Sequence, residues 1–391
     1  MAASTRWRNL GIAAGAVTAV LFALFDLYQW AMAYAGDRFH NDFTFYFAAA
    51  RIGVTHGWSA IYDLGLQQAQ LTEMGSGITI AQLARFISPP PVAWAALPFT
   101  ALPYPVAYWG WSALLVGALV ATWWLAAPGT GPARAVFLAA ALGWLPVIYG
   151  LQLGQPGLFV ALGVAACYVL LRGGHPTWGG IALGLLVLKP QLAFLVPPAL
   201  LVAGRWRAFL GSVIALGLLG AASAIALGPS GIATYEARLA FAAGVPVNRD
   251  LTLATLLGGV AAARALQVAV SVWALAVVYR MRRRAAEWIF VPVLVGGLLA
   301  SPYLHLDDFV MLGLAGWLVL RARPARLTCL YVLVGVLAVE GEPIWGPAPV
   351  IAAELAAMCL ITVVAFRRSV DASDDAGAGA AAPSSLESVR T

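Results

Sequence analysis

Apolar runs follow one another from Gly11 to Phe366, and small clusters of arginine separate them. With 62% hydrophobic and 10% charged residues, the chain lacks the polar surface of a water-soluble domain. It is expected to be an all-α polytopic membrane protein. The formal net charge of +6 is spread over loop-sized arginine clusters, the mark of cytoplasmic loops rather than of a nucleic-acid surface, so no nucleic-acid partner is expected. Cys167, Cys329 and Cys359 stand singly in apolar stretches, a pattern that implies neither disulfides nor a metal site. No metal or cofactor is expected.

The N-terminus imitates a signal peptide, with Arg6 and Arg8 ahead of an apolar run and the triplet Ala31-Met32-Ala33 behind it. That run is too long for a typical signal core and carries Asp26, which predicts an uncleaved first membrane helix. Residues 369–391 have no packable apolar pattern and are expected to form a disordered cytoplasmic tail. Residues 1–368 are left as one transmembrane domain.

Arginines at 6/8, 134, 172, 205/207, 280–284, 321/323/326 and 367/368 set the topology. If all face the cytoplasm, an even number of crossings separates neighbouring clusters. The apolar segments then fall near 10–34, 105–126, 135–150, 157–171, 177–188, 191–204, 208–227, 260–280, 288–300, 308–321, 327–340 and 348–366. The count is about twelve helices, with both termini inside. A large first extracytoplasmic loop, 36–104, and a second, 228–259, complete the plan. Within the first loop, the stretch around "GLQQAQLTEM" reads as a helix lying in the membrane interface. The second could hold an acceptor.

Segment 177–204 leaves from one arginine cluster and returns to another, so it must be a hairpin with Lys189-Pro190-Gln191 at its apex. Each limb supplies about 20 Å of helix against a hydrocarbon core of about 30 Å. The apex therefore stops inside the bilayer, where irregular backbone survives only within protein or beside water. Two further hairpins have polar tips, "YGLQLGQPGL" and "LASPYLHLDDF". Three short hairpins opening to one side predict a cavity sunk into the outer leaflet.

Lys189 is the only lysine in the chain. A lysine at that depth costs about 2.5–3.5 kcal/mol on insertion scales, so it marks either function or an ion pair. Its ammonium suits a phosphate, with Gln191 as a further donor, and the alternative is a structural pair with an aspartate. Asp42 and Asp37, just past the first helix, fit a general base at the cavity mouth or a cap on the helix that follows. Arg51 is placed to pair with an acid or to contact an anionic lipid. His305 can take a proton from an alcohol, with Asp307 or Asp308 orienting it, and the same acids could merely cap the next helix. Gln155 is a neutral donor or a turn residue, and "SPPP" at 88–91 is a rigid structural loop.

The order of these stretches resembles glycosyltransferase family 87. "NDFTFYFAAARIGVTHGWSAIYD" is similar to that family's D-F-x-x-Y-x-A-A-x…G…I-Y-D first-loop signature, and "RFISPPPVAWAALPFTALP" to the aromatic-Pro-Pro segment after it. "GQPGLFVAL…GLLVLKPQLAF" resembles the G-Q-x-x-x-L…G-L-x-x-x-x-K-P-Q block and "SPYLHLDDFVML" the later S-P…D block. Pro156 stands where the family usually has a small polar residue. The likeness spans about residues 10–320. It implies a GT-C type fold over 1–368 and a metal-independent, inverting transfer of a sugar, mannose in characterised members. The donor would be a polyprenyl-phosphate-sugar and the acceptor a lipid or glycan, at the outer face of a bacterial inner membrane. It implies Asp42 as the essential acid, His305 as a proposed base, and a donor phosphate met by Lys189 and Gln191, to which Gln155 and Arg51 are added as candidate phosphate contacts. Asp37, Asp307 and Asp308 would have supporting roles. A pentose (arabinofuranosyl) donor is a close variant, and a transporter or lipid flippase is the competing class.

Overall fold

The computed structural model describes residues 2–81, 85–257, 260–323 and 325–367. The tail expected over 369–391 lies outside them. Every regular element among the described residues is helical. Each expected apolar segment carries helix, but the expectation of about twelve crossings is not met by length. Five helices are long and apolar enough to span: Ala13–Gly36 within the first helix, Tyr104–Ala126, Trp206–Gly244, Ala261–Met281 and Ala348–Phe366. A sixth span forms if Gly131–Leu142 and Leu145–Leu153 count together, bent by 60°.

Of the shorter apolar helices, Glu287–Leu299 lies inside the bundle, whereas Arg326–Glu340 is mostly exposed. Glu287–Leu299 is buried at all 13 of its positions, about 20 Å of helix and too short to cross a hydrocarbon core of about 30 Å. Around it stand Val260–Met281, Val310–Ala322 and Ala348–Phe366. The 60° bend falls where Trp144 is extended and Pro146 opens the second limb, and two contacts accommodate it. Gly143 lets the first helix come close, since a Cβ there would lie 2.8 Å from the Ala23 nitrogen. The amide of Leu145, which restarts the helix, donates to Glu340 Oε2 at 2.9 Å and so is satisfied without its own helical partner.

The Lys189 segment is a hairpin, as its charge pattern demands. Gly180 packs on Ala208, and Gly184 lies against Ala215 and Leu219. The incoming limb, Pro176–Ala182 with the 3-10 turn Leu183–Leu188, therefore runs in the same direction as the start of Trp206–Gly244. The chain between must come back, through the 3-10 turn Pro190–Leu192 and the helix Val196–Val202. Glycine is required at position 180 because a side chain would overlap the Ala208 carbonyl, the small-residue contact by which membrane helices approach closely.

In the second loop, Gly228, at φ 62°, and Pro229 kink the Trp206–Gly244 helix, which continues to Gly244. The stretch Leu64–Glu73 is not turned to an interface by an apolar face. It buries Gln67, whose amide binds the carbonyls of Ile61 and Phe86 and the amide of Phe86. It packs on Phe43–His56, itself almost wholly buried. The first loop is thus a folded cap over one end of the bundle. At the opposite end, Arg172 meets Tyr168 and Glu287, Arg321 binds the Ala127 carbonyl, and Arg284 binds the carbonyls of Val364 and Ala365.

Candidate active site

The three polar hairpin tips and the start of the first loop meet at one place. Phe43–His56 begins there, and its amides need a cap. Asn41 supplies it: its Oδ1 accepts from Thr44 N at 3.1 Å and from Tyr104 Oη at 3.1 Å. Asp42 makes no capping bond with its side chain, so of the two readings open for it the cap is taken by its neighbour. Asp37 turns away to accept from Phe39 N at 3.0 Å, a local turn bond on the surface.

Asp42 is pinned at both ends. Its amide donates to the Leu153 carbonyl at 2.9 Å, and its Oδ2 accepts a short hydrogen bond from Gln155 Nε2. Gln155 is aimed by the turn it occupies. Leu145–Leu153 ends at Gly154 in the left-handed conformation, φ 74°, and the Gln155 amide closes back on the Gly150 carbonyl at 2.8 Å. Trp111 Nε1 holds the Gly154 carbonyl at 2.8 Å. Pro156 only opens the next helix, Gly157–Arg172, and does not turn Gln155 away. On its other side, Gln155 Oε1 accepts from Tyr46 Oη at 3.4 Å. Burial and the nearby Asp307 charge push the Asp42 carboxyl up to about 6, against the pull of Lys189 and of the Gln155 bond.

Lys189 is 8% exposed, and its Nζ lies 2.6 Å from Asp307 Oδ2 and in contact with Asp308 Oδ1. Both aspartates are buried, at 1% and 0%. Of the two readings open for Lys189, the ion pair is the one in place. With one cation against two carboxylates, the ammonium has a single N–H left for a donor phosphate. Gln191, half-buried on the adjoining turn, makes no side-chain hydrogen bond to a described residue. Arg51 takes the acid pair that was open to it: its Nη2 binds Glu73 Oε1 at 2.7 Å on the exposed side of the cap. It sits roughly 13 Å along the helix from Asp42, tying two loop helices together rather than joining the cluster.

His305 completes the site. Its Nε2 lies 2.9 Å from Asn248 Oδ1 and its ring stacks on Tyr303, with centroids 4.9 Å apart. Asn248 Nδ2 already donates to the Ala242 carbonyl at 2.7 Å, so the oxygen faces the imidazole and Nε2 carries the proton. Burial lowers the affinity of the ring for a second proton. His305 is therefore neutral, with Nε2 protonated and Nδ1 as its acceptor, turned toward the start of the Leu306–Phe309 turn. Neither aspartate orients the imidazole: Asp308 Oδ2 accepts from the His305 amide at 2.9 Å and closes the turn, as the capping reading had it.

Sequence reasoning missed Asn248, Tyr46 and Tyr303. Tyr46 lies within the first-loop signature, which could have flagged it. Asn248, fully buried on the turn Pro246–Arg249, has no periodic neighbour to announce it.

A helical membrane protein whose hairpin tips bury carboxylates, a neutral histidine and a paired lysine is built for chemistry on a polar group brought to the bilayer. The sequence model of glycosyltransferase family 87 matches residues 86–302, more than half of the chain, and the protein belongs to that family. It is a glycosyltransferase. No curated protein and no solved structure matches it. The match takes in Gln155, Lys189, Gln191 and Asn248. It stops short of Asp42 and of His305, Asp307 and Asp308, so those residues rest on their geometry and on the motif likeness.

Proposed function

We propose that the protein transfers a hexose, mannose by family resemblance, from a polyprenyl-phosphate donor to a lipid or glycan acceptor. The reaction would take place at the outer face of a bacterial inner membrane, with both termini cytoplasmic. The observation that carries this reading is Asp42: freed from capping, held by Gln155, and more basic than an ordinary aspartate. Such a carboxylate is mostly ionised at neutral pH yet accepts a proton readily, the compromise that general-base catalysis requires.

In the proposed step, the acceptor oxygen attacks the anomeric carbon and its proton passes to Asp42. The bond from that carbon to the phosphate oxygen breaks, and the electron pair leaves with the phosphate. A single displacement inverts the anomeric centre. Neutral His305, held by Asn248 and stacked on Tyr303, lines the approach of a sugar or acceptor hydroxyl. Lys189 holds Asp307 and Asp308 in place and keeps the tip at a defined charge.

The test is turnover of purified protein with polyprenyl-phosphate-mannose, and in parallel with the arabinofuranose donor, in membrane lipids. Asp42→Asn is expected to cut kcat by at least ~100-fold, the lower end of general-base contributions. Near-normal turnover in that variant rules out Asp42 as the base. Lipid-linked sugar that crosses vesicles without appearing on an acceptor would instead make the protein a flippase.

A further inference from the structure

Away from the aspartates, beyond the Gly228 kink, one ridge of the Trp206–Gly244 helix meets the first-loop cap. Tyr235, Arg238 and Phe241 are spaced three apart and so share that ridge. Tyr235 stacks on Tyr62 with centroids 4.5 Å apart, and Tyr62 stacks on Phe86 at 5.4 Å. Phe241 receives the guanidinium of Arg85, whose Cζ lies 4.0 Å from the ring centre. Arg238, between Tyr235 and Phe241, is thereby set facing Arg85. Neither arginine has an ion-pair partner among the described residues, and Arg238 Nε is buried without a hydrogen-bond partner. Arg85 spends Nε and Nη2 on the Ala81 carbonyl, at 2.8 and 2.6 Å, which leaves Nη1 uncommitted.

Two guanidiniums gathered without an acid repel each other, and burial together with the nearby Arg238 charge lowers the hold of Arg85 on its proton. Such a pair persists where an anion bridges it, and guanidinium forks match phosphate oxygens. Exposed Leu239 and Phe241 lie on the same helix segment, an apolar surface for the chain that a lipid phosphate trails.

We infer that Arg85 and Arg238 form a binding site for the phosphate of a lipid, separate from the Lys189 pair. The inference deepens the proposed use of a phosphate-linked donor. It gives the anion a pair of cations not already neutralised by aspartates, as Lys189 is. The run Tyr46, Phe86 and Tyr62, with Tyr46 and Phe86 centroids 6.2 Å apart, connects it to Gln155 and Asp42.

The test is binding of polyprenyl monophosphate, without sugar, to the full chain in nanodiscs, followed by native mass spectrometry. Arg85→Gln/Arg238→Gln is expected to weaken binding by at least ~10-fold, the equivalent of one charge-assisted contact. Arg85→Lys/Arg238→Lys should recover part of it, and thermal unfolding of each variant checks that the cap is intact. Affinity within twofold of wild type in the folded double variant overturns the inference. Phosphatidylglycerol as competitor names the source. Displacement at equal concentration assigns the site to a phospholipid headgroup, and resistance to a large excess assigns it to the polyprenyl phosphate; either keeps the site. Asp42→Asn should bind as wild type. If that variant also turned over normally while the arginine variant lost binding, the catalytic proposal would fall and the anion site would stand.

Discussion

Lys189 illustrates what a single buried charge demands. Its ammonium is withdrawn from water and repaid by two carboxylates, Asp307 and Asp308, themselves buried. Removing one member of such a cluster leaves uncompensated charge, at a cost of about 3–5 kcal/mol, whereas removing all of it together can be nearly neutral. Lys189→Met should therefore unfold at clearly lower temperature than the triple variant Lys189→Met/Asp307→Asn/Asp308→Asn. A Lys189→Met protein of wild-type thermal stability that had lost only donor affinity would return the lysine to the phosphate role. Asp42 gives a pH prediction with a definite sign. Its carboxyl titrates near 6, and only the ionised form accepts a proton. Turnover should fall as pH drops through about 6 and level off above it. A profile flat down to pH 4.5 would show that this carboxylate is not the base.

Among the elements, the Lys189 hairpin is the one whose shape sequence determines most firmly. Limbs too short to cross, flanked by arginines on both sides, leave no alternative to a turn within the bilayer. Its packing rests on Gly180, where any side chain meets the Ala208 carbonyl. Gly180→Leu is expected to cost 1–3 kcal/mol or more by forcing the limb off its neighbour. Gly184→Ala, whose new methyl would touch Ala215 Cβ at an ordinary 3.4 Å, should cost far less. Thermal unfolding in detergent compares the two, and equal losses would mean the limb is not held there. Other elements were less legible, for physical reasons. Residues 228–244 belong to the expected second loop, yet a kink at Gly228 and Pro229 lets helix resume there. Leu64–Glu73 was read as interfacial because its polarity suits a surface; nothing in the spacing reveals that Gln67 spends its amide on Ile61 and Phe86. Asp42, Gln155, Lys189 and His305 could be picked out as polar groups among apolar runs. Their partners Asn248 and Asn41 could not, since which amide a buried group finds depends on the fold.

For the whole molecule, the tips and cap lie at one end and Arg172, Arg284 and Arg321 at the other. With arginine-rich ends cytoplasmic, an introduced Val247→Cys beside Asn248 should react with a membrane-impermeant thiol reagent in intact cells. Arg283→Cys should react only after permeabilisation, both in a background where Cys167, Cys329 and Cys359 are serine. The reverse pattern would move the site to the inner face and end the proposed placement. The wholly enclosed helix Glu287–Leu299 has a bearing on biogenesis. Too short to be left in a lipid phase by the translocon, it gains a stable seat only after the C-terminal Ala348–Phe366 helix has emerged to wall it in. Chains stopped before that point should keep Glu287–Leu299 open to protease, making Ala348–Phe366 the latch on the interior rather than an appendage.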